Sequence, residues 1–426
     1  MELKECFSNK RGSFAILAVM IFASMVILTF ALIRASGQAA VDSAVKSFGV
    51  LWGKSILGEY DLYLKERYGI FGFYGNEYAV EEKITEYADY SFGEKDYISL
   101  DKVACSLDQH SLTLTENLER QIYHVVVYNI PPPQRQGEES YGEGYGEGYG
   151  ESYRESYGER YGEREIEASW ILGGLPSYGK TEKWYLTGIV KKIKEGVTAG
   201  GLMEQLAVDK YISKFFKEYN NHKDLPNTFF SCEIEYIIGG ENSDGRNKRD
   251  VSSKIKTLRN MLNLYYLYTC SEKREAALLL AEVITPGPAA VLTQAVILET
   301  WAYSEAVNDI NILYDGKTVP LLKNDSNWAL SLENVFNSDG TPREDAGENK
   351  KRYILPQSLS GEEYGTYLRI LLAGMPRETK LLRIMDLIQV NGKYTYVDSF
   401  LMAEYYGGLD YEMEVNGKIY TFRESY

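Results

Sequence analysis

The sequence predicts an α+β fold carried on a single transmembrane helix, and three observations predict it. Phe14 to Ile33 is a 20-residue apolar run without a charge. Long stretches with a helical apolar period come after it, among them 251–270 and 288–310. Residues 394–422 alternate around a Gly-Gly and an Asn-Gly, the signature of an antiparallel hairpin. Helices grouped before late strands describe a helix-rich α+β domain, not a doubly wound sheet.

Taken in order, the apolar run is long enough at ~1.5 Å per residue to cross the ~30 Å core of a bilayer. A helix is the form in which lipid tolerates a lone backbone segment. Lys4, Lys10 and Arg11 precede the run, and Arg34, Lys46 and Lys54 lie beyond it. This balance favours a cytoplasmic N-terminus, so that the run acts as a signal-anchor and exports the rest of the chain. The small residues of "ASGQAA" leave cleavage near the end of the span open. Val41, Val45, Phe48, Trp52, Ile56 and Tyr60 then recur at steps of three and four, which predicts an amphipathic stalk ended by "YGIFGFYG". A second helix is expected from Val80 to Tyr90.

Residues 141–164 repeat tyrosine every fourth position, with a glutamate two places later and glycine interspersed. Glycine costs a helix about 1 kcal/mol per residue, and the tract has no aliphatic side chain to bury. It reads as a disordered insertion, with an adhesive strip as the alternative. "NTFFSCEIEYIIGG" reads as a strand ended by glycines, and 367–390 as two short helices parted by Pro376. The chain thus divides into a cytoplasmic tail (1–13), a transmembrane helix (14–33), a stalk with the first part of an extracytoplasmic domain (34–133), the repeat insertion (134–166) and the main α+β domain (167–426).

Composition narrows the chemistry. A net charge of −15 with no basic cluster argues against nucleic acid as a partner. Cys6, Cys105, Cys232 and Cys270 form no CxxC, and His110, His124 and His222 share no helical face with a second ligand, so no metal site is expected. Gly174 to Thr181 spells G-x-x-x-x-G-K-T, a phosphate-binding pattern whose lysine, here Lys180, would reach the outer phosphates. A repeat tract precedes it where a buried strand belongs, Pro176 and Tyr178 crowd the loop, and Asp315 is a poor Mg²⁺ aspartate. An exported location adds to these, and no nucleotide or other cofactor is expected. Ser-x-x-Lys recurs at Ser43–Lys46, Ser177–Lys180 and Ser253–Lys256 without the accompanying motifs of penicillin-recognising enzymes. Glu299 and Glu305 could serve a glycosidase only at a separation that the sequence does not set. Trp301, Ala302, Glu305, Ala306 and Asp309 fall on adjacent helical faces, where they form either a packed edge or a polar cluster.

The span introduced by "RGS", with "EYDLYLKERYGIFGF" downstream of it, resembles an uncharacterised family of Gram-positive membrane proteins associated with tight-adherence (Tad/Flp) pilus loci, similar to the TadE/TadG-like pseudopilins. The resemblance continues in "LERQIYHVVVYNIPP", in "ILETWAYSEAVNDINILYDGKTVPLLKNDSNWALSL" and in "YGTYLRILLAGMPRETKLLRIMDLIQVN". It implies a membrane-anchored partner of pilus or secretion assembly proteins and supplies no catalytic residue. Pilin precursors are cut after a glycine and carry a glutamate five residues beyond; Gly12 fits, but the fifth residue is Leu17. The expected protein is therefore a non-enzymatic minor subunit or accessory at the cell membrane, with an extracytoplasmic hydrolase or a surface adhesin as rivals.

Overall fold

The computed structural model describes residues 10–93, 97–131, 168–181, 199–220, 227–343 and 353–426. The tyrosine repeats lie outside the described residues, as do Cys6 and His222. In chain order the elements are α1 Lys10–Leu57, α2 Leu62–Tyr68, β1 Phe73–Tyr74, α3 Glu77–Phe92, β2 Leu100–Ser106 and α4 Thr115–Val127. Next come α5 Ala168–Ile171, α6 Ala199–Phe215, α7 Glu233–Gly239, α8 Asp244–Thr269, α9 Ser271–Ile284 and α10 Ala290–Tyr314. The chain closes with α11 Leu332–Val335, α12 Tyr364–Gly374, α13 Arg377–Thr395, β3 Tyr405–Tyr406, β4 Gly408–Val415 and β5 Lys418–Ser425. The protein is a helix-rich α+β fold with a long apolar N-terminal helix and C-terminal antiparallel strands.

Two units interleaved along the chain form: one from Met1–Asp61, Gly72–Ser111 and Glu404–Tyr426, the other from Leu62–Phe71 and Leu112–Ala403. In the first, β2, β4 and β5 make an antiparallel sheet in that order. The β4–β5 turn is the expected Asn-Gly, with φ of 52° at Asn416 and 72° at Gly417, the left-handed pair that a tight hairpin requires. Asn416 also fixes the neighbouring chain, accepting from Ser99 N–H (2.9 Å) and donating to Tyr97 O (2.9 Å). Over the sheet lie α3 and the last third of α1. Asn76 caps α3 by accepting from Ala79 N–H, and the helix buries Val80, Ile84, Ala88 and Phe92 at steps of four. The core joins these to Val41, Val45, Trp52 and Ile56 of α1 and to Leu409, Tyr411 and Met413 of β4.

The fold departs from the sequence expectation at three points. The stalk helix stops at Leu57, where Gly58 N–H closes the last turn on Lys54 O, and Tyr60 lies beyond it, bridged to Phe73. Strand β2 has no local signal; it pairs antiparallel with β4 from Leu100↔Val415 to Ser106↔Asp410, across some 300 residues of chain that no local pattern spans. "CEIEYIIGG" is the helix α7, not a strand. Glu233 to Ile238 are all buried, which erases the period that separates a helix from a strand, and Gly240 (φ 74°) ends it as a left-handed cap.

In the second unit α8, α9 and α10 pack together, α4, α6 and α7 gather around α13, and α12 packs on α6 and α7. The seam of α8 is Asn247, Val251, Ile255, Arg259, Asn263 and Leu267, one buried residue every four. Every residue of α13 from Thr379 to Lys393 is buried, polar ones included.

Candidate functional site

α1 changes character along its length. From Phe14 to Ala40 every side chain is exposed; from Val41 the inward face is buried in the first unit's core. The exposed part contains an apolar window of mean hydropathy 2.8 and is long and apolar enough to cross a membrane. Within the uncharged run Phe14 to Ile33 the two hydroxyls are satisfied inside the helix: Ser24 donates to Ile21 O and Thr29 to Met25 O, both at 2.8 Å. Nothing polar in the run is left seeking water.

A second construction joins α8 to α10. Asp309 accepts from Arg259 Nε (3.0 Å), Asn263 Nδ2 (3.2 Å) and Lys323 Nζ (2.6 Å). Arg259 also donates to Asn263 Oδ1 and to the carbonyls of Pro320 and Leu321. Lys323 also pairs with Glu305, whose two oxygens accept the N–H groups of Ala329 (2.9 Å) and Leu330 (2.8 Å). Trp301 and Trp328 meet edge to face at 5.5 Å, and both indoles donate to Leu330 O. Burial pushes the Asp309 carboxyl up, but Lys323 and Arg259 outweigh it and hold the group below its ordinary value. Burial wins at Glu305, which is raised despite Lys323. Two cations and two anions thus neutralise one another out of water and clamp the segment 320–330 onto α10. Glu305 and Asp309 do form the polar cluster that their spacing allowed. Their partners Arg259 and Asn263 escape sequence reasoning, although both stand in the apolar seam of α8, where a polar residue implies a buried partner.

The G-x-x-x-x-G-K-T segment is a run of turns after the short helix α5. The described residues directly ahead of it form α5, not a strand. Its backbone is already committed to α13: Ser177 N–H donates to Asp386 Oδ1 (2.9 Å), Gln389 Nε2 to Gly174 O (2.9 Å) and Lys393 Nζ to Gly173 O (2.9 Å). A carboxylate therefore occupies an amide of the loop that a phosphate would need. Lys180 and Tyr178 are exposed.

The other candidates are dispersed. Ser43 and Lys46 are exposed on α1, as is Ser253 on α8. Glu299 is exposed and accepts from Asn260 Nδ2 (2.7 Å), whereas Glu305 is buried, so the two do not share an open site. His110 Nε2 lies 3.0 Å from Asp410, which also holds Arg423 through two bonds of 2.8 Å. His124 stands beside Tyr123 and Tyr128 on α4. Cys105, Cys232 and Cys270 are free thiols. Burial pushes the first two up to about 12, opposite to the activation that a nucleophile needs. Among the described residues no group of three or more His, Cys, Asp or Glu is placed to hold a metal.

The model of a family of unknown function, DUF5702, matches residues 164–417, and the chain belongs to that family. No curated protein and no solved structure matches it.

Proposed function

We propose that this member of the DUF5702 family is a single-pass membrane protein with an extracytoplasmic domain, serving as a non-enzymatic minor subunit or accessory of a tight-adherence-type pilus or secretion assembly. The observation that carries the reading is the unbroken passage of α1 from exposed apolar residues into the core of the first unit. A tether needs only a flexible linker. A continuous helix of about 70 Å fixes the direction in which the domain leaves the membrane, which matters to a part that must register with others. The fate of the titratable groups supports a non-enzymatic role: Glu305, Asp309, Arg259 and Lys323 are paired off in packing, and Asp386 and Lys393 hold a loop.

In-cell photocrosslinking from single positions on the exposed part of α1, such as Leu28 and Ala39, tests the assembly role. The proposal expects adducts with other single-span or pilin-type subunits, reduced when the assembly ATPase is deleted. Adducts to lipid alone at Leu28, and none at Ala39, would leave a stand-alone surface protein as the better reading.

A further inference from the structure

Strand β5 runs alongside α1, and their contacts fix which end of the first unit faces the exposed apolar run. Asp42 accepts from Lys418 Nζ (2.6 Å) and from the Tyr420 hydroxyl (2.5 Å) at the start of the strand. Further along, Gly49 faces the ring of Phe422, Gly53 faces Glu424, and the Tyr426 hydroxyl donates to Leu57 O. Strand and helix therefore advance in the same direction, from Lys418 beside Asp42 to Tyr426 beside Leu57. The β4–β5 turn at Asn416 and Gly417 precedes Lys418, so it forms the end of the sheet nearest the exposed apolar run. Val41 and Val45 are buried in the core at this level and leave no flexible link between the turn and the helix.

That end differs from the rest of the sheet's surface. Along β5, Tyr420 and Phe422 pack on the core, so Ile419, Thr421 and Arg423 take the outer face by alternation. On β4, Glu412 stands opposite Thr421 and Glu414 opposite Ile419. The outer face of these two strands is thus polar until the row next to the turn, where Ile419 is 63 % exposed. Tyr97, 62 % exposed, lies at the same turn, its carbonyl accepting from Asn416 Nδ2 (2.9 Å). The charges there are already engaged. Lys418 pairs with Asp42, and Asp101 accepts from Gly417 N–H (2.9 Å) and from the Ser99 hydroxyl (3.2 Å). Lys102 stands beside Glu414 in the register. What the turn offers a partner is one aromatic and one aliphatic side chain, not a charge.

Helix geometry sets the height of the turn. Asp42 stands nine residues beyond Ile33, which is ~13 Å along the helix. The turn lies a residue or so of strand nearer the bilayer, at about 10 Å from the end of the apolar run. The polar layer on each side of a bilayer is about 5–8 Å thick, so the side chains of the turn meet its outer edge. Tyrosine is favoured there because its ring is apolar while its hydroxyl stays wet. We propose that Tyr97 and Ile419 rest in the lipid headgroup layer, so that the β4–β5 turn is a second membrane contact beside α1. The contact rests on the reading of α1 as a single span. A helix held only by its apolar run is free to change its tilt, whereas an interfacial anchor off its axis fixes tilt and rotation. The first unit then leaves the membrane at one angle.

Photocrosslinking of the full chain in lipid nanodiscs tests the contact. A benzophenone side chain replaces, one at a time, Leu28, Tyr97, Ile419 and Ser425, the last at the far end of β5. The discs are made of phosphatidylcholine, alone or mixed with phosphatidylglycerol, and mass spectrometry counts lipid adducts at each position. Adducts are expected at Leu28, Tyr97 and Ile419, with at least about tenfold fewer at Ser425, which stands roughly 30 Å along from Ile33. The yields should be the same in both lipids, since the charges at the turn are engaged. Adducts at Leu28, with Tyr97 and Ile419 no richer than Ser425, would overturn the turn contact and leave the span standing. Their absence at Leu28 would overturn both. Adducts at Tyr97 and Ile419 only with phosphatidylglycerol present would make the contact one of charge, contrary to the proposal.

Discussion

Asp309 is the residue on which the second unit's buried charges depend, since it accepts from Arg259, Asn263 and Lys323 at once. Asp309→Ala leaves two cations buried with one carboxylate, and urea unfolding of the variant is expected to show a loss of about 3–5 kcal/mol. Because the folded carboxyl is held below its ordinary value, its contribution is present above the unfolded value and is lost as pH falls through the folded one. The parent should therefore lose stability in acid more steeply than Asp309→Ala does; equal slopes would show that the ion set contributes nothing. Lys180 is the opposite case, exposed at the end of a run of turns. Lys180→Ala is expected to change stability by less than about 0.5 kcal/mol. ATP with Mg²⁺ should give no thermal shift in either protein. A shift that disappears with Lys180 would restore the nucleotide reading.

At the scale of elements, the two glycines of α1 that face the sheet decide how closely it packs. A Cβ at Gly49 would run into the ring of Phe422 on β5, and one at Gly53 would meet Glu424 Cγ at 2.8 Å. Tyr411 donates to Gly49 O across the same approach. Gly37, in the exposed part of the same helix, has nothing within 4 Å of an added Cβ. Gly49→Ala should therefore destabilise the first unit by about 1–3 kcal/mol through overpacking. Gly37→Ala should leave it unchanged or stabilise the helix by up to ~1 kcal/mol, the intrinsic cost of glycine. Thermal melts of the two variants separate a packing role from a mere propensity effect. The elements that could be read from sequence are those with a strong local signal. They are the uncharged run of α1, the period of α8 and α10, Pro376 as the N-cap of α13, and Asn416-Gly417 in the hairpin. Where burial is complete, as in α7, or where pairing is distant, as in β2, that signal is missing. The buried charges were half legible: Glu305 and Asp309 share a helix face by spacing, but nothing local says that Arg259 and Lys323 come to meet them.

For the whole molecule, the repeats and the orientation of the span are the variables that experiment can fix. Residues 138–164 carry no aliphatic side chain, so their removal is expected to change unfolding free energy by less than about 1–2 kcal/mol, the range of loop-closure entropy. A larger loss in chemical denaturation would mean that the tyrosines pack on the fold. The central claim is that the continuous helix α1 anchors the chain with its folded units outside the cell. Limited proteolysis of intact, wall-stripped cells tests this most directly, because it asks which side of the bilayer the chain beyond Arg34 occupies. The account predicts that externally added protease degrades that region while a cytoplasmic marker survives. Protection of the region until the membrane is breached would contradict it.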